Sequence, residues 1–68
     1  MKITYDKDAD AMFIELKEGE FAKNKKLNDY TILDLDKDGN LLGIEILFVK
    51  EKMPNLLKEI KVENLIAV

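Results

Sequence analysis

Cysteine, histidine, serine, arginine, tryptophan and glutamine are all missing from this chain of 68 residues. Without cysteine and histidine there can be no disulfide and none of the usual zinc-finger ligand sets. Without serine, histidine and cysteine there is no nucleophilic relay, and no side chain whose ordinary pKa lies near neutrality. A general acid or base would have to be a carboxylate, lysine or tyrosine moved far from its usual range. All 11 cationic residues are lysine, so no guanidinium fork exists for bidentate phosphate or guanine contacts. A net charge of -3 with a pI of about 4.8 repels a polyanion. No run reaches the ~18 uncharged residues of a membrane span, and the start, MKITYDKDAD, has no apolar signal core. These absences predict a cytoplasmic, non-catalytic protein with no cofactor and no nucleic-acid or membrane partner.

What remains is a patterned chain. Displaced by thirty positions, Tyr5–Leu16 falls on Leu35–Ile46, with Asp, Lys, Asp, Ile and Glu recurring at equivalent places. The apolar positions correspond as well: Ile3 and Tyr5 with Leu33 and Leu35, then Met12, Ile14 and Leu16 with Leu42, Ile44 and Ile46. Duplication would produce this, and so would the common geometry of two hairpins of equal loop length. Both segments alternate apolar and polar residues on either side of an Asp-Lys-Asp turn, the pattern of half-buried antiparallel strands. In the second segment, pairing Leu35 with Leu42 and Leu33 with Ile44 collects the apolar rows on one face and turns Asp34, Asp36, Gly43 and Glu45 to the other.

Between the hairpins, FAKNKKL places lysines between Phe21 and Leu27, which reads as an edge strand guarded by charge or as a solvated loop. After Val49, the step KEK leads to Met53-Pro54, where proline suits the first turn of a helix. Met53, Leu56, Leu57 and Ile60 form one apolar stripe, predicting a helix over about 54–60 that lies on the apolar face of the sheet. The last residues, Val62, Leu65, Ile66 and Val68, are too apolar for a free tail; they fit a last strand or a contact with a second copy.

Two groups of acids invite a metal reading. DLDKDGNLLGIE, residues 34–45, matches the D-x-[DN]-x-[DN]-G…E pattern of a calcium loop through Asp34, Asp36, Asp38, Gly39 and Glu45. Such loops sit between two helices, whereas the flanks here have the period and residue types of strands, and Gly43 would weaken a helix start by ~1 kcal/mol. A weak divalent-cation site at Asp34, Asp36 and Asp38 is the alternative to three solvated turn residues. Asp6, Asp8 and Asp10 pose the same choice between a magnesium or acid-base cluster and a wet turn. Phe13, opposite in face to the apolar row and equivalent to Gly43, either fills the gap over that glycine or marks a contact surface.

The segments KITYDKDADAMFIEL and LDLDKDGNLLGIEIL, with Y-D-x-x-A-D-A at Tyr5 to Ala11 and D-x-D-G-x-x-x-G-I-E-I-L at Asp36 to Leu47, resemble the small prokaryotic family of domain of unknown function 2283. The resemblance covers about residues 1–49 and departs at Asn28-Asp29-Tyr30, where relatives tend to have an acidic pair followed by glycine. It implies a small antiparallel sheet and no catalytic residues. It also implies an antitoxin or partner-binding role, from an association of such proteins with toxin-like neighbours.

Together these readings predict one α+β domain over residues 1–68: two similar hairpins in one antiparallel sheet of four or five strands over 1–49, a short helix, and an apolar tail over 62–68. A domain this small removes only about 60% of its unfolded surface from water, so association with a second copy, a dimer first, is the expected remedy. The expected role is an interaction module for its own copy or another protein, with Phe13, Gly43, Leu65, Ile66 and Val68 as candidate contacts.

Overall fold

The computed structural model describes residues 1–59. It holds strands β1 (Lys2–Asp6), β2 (Ala11–Glu15), β3 (Lys23–Asn28), β4 (Thr31–Leu35) and β5 (Leu41–Leu47), then a helical turn α1 (Val49–Lys52) and a 3-10 turn at Pro54–Leu57. The five strands form a single antiparallel sheet in the order β1-β2-β5-β4-β3. FAKNKKL supplies an edge strand, β3, every residue of which is exposed.

The two hairpins β1-β2 and β4-β5 meet through their second strands. Ile14 lies opposite Ile44, its own equivalent in the thirty-residue repeat, while Phe13 faces Glu45 and Glu15 faces Gly43. Equivalent residues thus exchange places about the Ile14–Ile44 pair. The order β1-β2-β5-β4 has an approximate two-fold axis through that point, and β3 is the addition that breaks it.

Because paired residues share a face, the registers collect Ile3, Tyr5, Met12, Ile14, Leu33, Ile44 and Ile46 on one side. Leu33 pairs with Ile44 as the alternation predicts, but Leu35 pairs with Leu41 rather than Leu42. The reason is a bulge: β5 has one more residue than β4 between the Asp34–Gly43 and Leu35–Leu41 pairs. Among the described residues the buried apolar side chains are Ala11, Met12, Leu42 and Val49, of which Val49 is fully enclosed.

The helix begins earlier than its apolar stripe suggests. Phe48 takes a left-handed conformation (φ 56°, ψ 40°), which reverses the chain at the end of β5 and starts α1 at Val49. Pro54 opens the 3-10 turn at Pro54–Leu57, where the sequence predicts a helix over 54–60. Tyr30 packs edge-on to Phe48 (ring centroids 5.9 Å apart) with the Lys52 ammonium 5.9 Å from its own ring centre. Ile60 and the tail residues Val62, Leu65, Ile66 and Val68 lie outside the described residues. No helix among the described residues is long and apolar enough to cross a membrane.

Candidate functional site

Both aspartate turns are built from their own side chains. In the second turn Asp36 Oδ1 accepts the N–H groups of Asp38 (2.9 Å) and Asn40 (2.8 Å), and Oδ2 accepts the Asn40 amide at 3.0 Å. Gly39, at φ +84°, supplies the left-handed residue this turn requires. Hydrogen bonds from Asn40 hold the Asp36 carboxyl below the usual carboxylate range. Both oxygens are engaged within the loop, whereas a calcium loop aims them at an ion. Asp34 lies down the strand, opposite Gly43, and no three acidic side chains among the described residues converge on one point. The structure therefore does not bring Asp34, Asp36 and Asp38 together as a ligand set.

The first turn divides its acids differently. Asp6 Oδ1 accepts the N–H groups of Asp8 (2.9 Å) and Ala9 (3.2 Å), closing the tip. Asp10, at φ 52°, turns away towards α1. Its Oδ1 accepts the Lys50 N–H and the Tyr5 hydroxyl, each at 2.7 Å, its Oδ2 accepts the Glu51 N–H at 3.3 Å, and its carbonyl accepts the Val49 N–H at 3.2 Å. A side chain from one hairpin thus caps a helix that follows the other. The Lys50 and Tyr5 hydrogen bonds lower the Asp10 pKa, and the same bond to Asp10 raises that of Tyr5. The sequence groups Asp6, Asp8 and Asp10 by proximity, but Asp6 and Asp10 have separate structural partners.

The polar face of the sheet holds an arrangement the sequence did not single out. Asn24 on β3 pairs with Asp34 on β4, and its amide donates to Asp34 Oδ1 at 2.6 Å and reaches Glu45 Oε2 on β5 at 3.4 Å. A hydrogen bond to Asp34, partial burial and the neighbouring negative charge push Glu45 up to about 7. The Glu45 carboxyl therefore keeps its proton up to near neutrality. The signal was available in principle, since Asp34 and Glu45 fall on one face in the expected register. The closeness comes from the cross-strand diagonal, which residue types alone do not reveal.

Beside this pair runs an open groove whose walls include Phe13, Phe21, Gly19, Gly43, Lys17 and Asp34. Phe13 and Gly43 share it, although they do not face one another directly. Phe13 lies opposite Glu45, and Gly43 lies opposite Glu15. A Cβ at Gly43 would sit 2.8 Å from the Ile14 carbonyl oxygen, so glycine permits the close approach of β5 to β2 at this point. Phe13 remains 36% exposed and Gly43 is buried, which makes the ring the accessible member of the two. Leu65, Ile66 and Val68 lie outside the described residues.

The family described as Protein of unknown function (DUF2283) matches residues 2–50 of the 68-residue chain. No curated protein and no solved structure matches it.

Proposed function

The chain belongs to DUF2283, a family of proteins of unknown function, and we propose that it works as a non-catalytic protein-interaction module that self-associates, as a dimer first. The size of its core carries this reading. Four apolar side chains are buried among the described residues, whereas Ile3, Leu16 and Phe21 are exposed and Ile14, Leu33 and Ile44 are half-buried. Such a sheet gains stability when another surface covers part of it. The aspartates in the family-matching segments support the same view: Asp6 and Asp36 shape turns and Asp10 caps a helix, which leaves their carboxylates engaged in architecture.

Sedimentation velocity over a wide concentration range tests the proposal. The expected result is a mass that rises towards that of two copies. A chain that stays monomeric to millimolar concentration would overturn self-association.

A further inference from the structure

The two outer strands of the sheet are not alike. β3 carries Lys23, Lys25 and Lys26 and has an irregular register between Lys26 and Asn28, two devices that discourage another strand from adding to it. β1, Lys-Ile-Thr-Tyr-Asp, pairs with β2 without any shift and has one lysine at its start. The approximate two-fold axis sharpens the contrast. Under it β1 is equivalent to β4, and the outer edge of β4 is covered by β3, whereas among the described residues the corresponding edge of β1 has no strand beside it.

The backbone parity of that edge follows from β2. The Leu16 N–H donates to the Leu42 carbonyl at 2.8 Å, so even-numbered residues of β2 bond to β5 and odd-numbered ones to β1. Thr4, opposite Phe13, consequently spends its backbone groups on β2. Ile3 and Tyr5 aim theirs outward.

We propose that β1 pairs antiparallel with β1 of a second copy, about a two-fold axis through Thr4. This rests on the self-association proposed above and names the strand that mediates it. In this register Ile3 exchanges both backbone hydrogen bonds with the partner's Tyr5, and Tyr5 does the same with the partner's Ile3. Those side chains meet on the apolar face. Lys2 stands opposite the partner's Asp6 and Asp6 opposite the partner's Lys2, in the non-hydrogen-bonded positions where cross-strand side chains approach most closely. A strand whose cation and anion sit symmetrically about its centre is complementary to itself. Centring the axis on Ile3 or Tyr5 instead would leave strand residues unpaired and separate the charges. A seam of two five-residue strands covers less than the ~1,200 Å² of a standard interface, so the dimer depends on concentration.

The chain has no cysteine, which permits a direct test on the full-length protein. At the axis the two Thr4 Cα atoms stand about 4.5 Å apart, within the ~4.4–6.8 Å that a disulfide spans. Thr4→Cys under mild oxidation is expected to form a covalent dimer, with Lys25→Cys on the opposite edge as the collision control. Ile3→Pro removes an outward N–H while sparing the bonds to β2, and is expected to weaken self-association at least about tenfold with the circular dichroism unchanged. If the parent associates but Thr4→Cys cross-links no faster than the control and Ile3→Pro leaves association intact, the edge pairing is wrong and self-association stands. A parent that remains monomeric, with no selective cross-link, overturns both.

Discussion

The Asp10 carboxylate accepts the backbone N–H of Lys50 at 2.7 Å, across forty residues of sequence. Through this bond the tip of the first hairpin fixes the start of the helix that follows the second. The same oxygen takes the Tyr5 hydroxyl, so one acid ties β1, the turn and α1 together.

Replacing Asp10 with Ala is therefore expected to loosen α1 while leaving the sheet intact. Hydrogen exchange should accelerate at Lys50 and Glu51 and change little at Ile14 or Ile44. Asp10→Gly, which suits the left-handed backbone but also lacks the carboxylate, should behave like Asp10→Ala if the cap is what matters. Because the folded-state pKa of Asp10 is lowered, its contribution is present above its ordinary value near 3.8 and disappears as pH falls through the folded value. Equal protection of the α1 amides in parent and variants would refute the cap.

The Glu45 carboxyl gives the opposite pH dependence. Its pKa rises from 4.5 to about 7 on folding, so between those values the folded chain binds more protons than the unfolded one. The stability it contributes is fully present below 4.5 and is lost as pH rises through about 7. Chemical denaturation at pH 5 and pH 8 should show the parent less stable at the higher pH. Glu45→Gln keeps a hydrogen bond to Asp34 without the second charge and should flatten this difference. An unchanged slope in the variant would assign the effect to another group.

Two glycines should respond differently to alanine. Gly43→Ala places a methyl against the Ile14 carbonyl, a backbone atom that moves only if β2 and β5 separate. A cost of about 1–3 kcal/mol follows, a large part of the stability of a small domain. Gly39→Ala meets no atom within 4 Å, and its penalty comes from φ +84° alone, about 1–2 kcal/mol. The substitutions are distinguishable by NMR: Gly43→Ala should shift resonances on both central strands, whereas Gly39→Ala should act at the turn.

Calorimetry with calcium or magnesium should yield no saturable heat from the Asp36 turn. Its carboxylate already accepts three hydrogen bonds, and capture of an ion would require their rupture. A saturable signal abolished by Asp36→Asn/Asp38→Asn would show that the turn opens to bind.

Much of the sheet could be read from the alternation of residues. The Leu33–Ile44 pairing follows from placing apolar side chains on one face, because a slip would expose Ile44 and Ile46. The bulge beside Leu41 and Leu42 was not legible, since both residues are leucine and either satisfies the pattern. The start of α1 was obscured for another reason: Phe48 is an unusual residue for a left-handed turn, and its partner Tyr30 is remote in sequence. Sequence spacing grouped Asp6, Asp8 and Asp10, whereas hydrogen-bond geometry separated Asp10 from Asp6. The closeness of Asp34 and Glu45 depends on which strands lie side by side, which the sequence leaves open.

The exchange of equivalents about Ile14 and Ile44 has an evolutionary corollary. Two separate copies of one hairpin, meeting in this way, would have to carry the same side chain at both members of every equivalent pair. Covalent linkage lifts that demand, so one position can hold Phe13 and its counterpart Gly43, and Asp10 can be recruited to the helix while Asn40 serves its own loop. Within a single chain the two halves are free to differ, whatever the origin of their likeness.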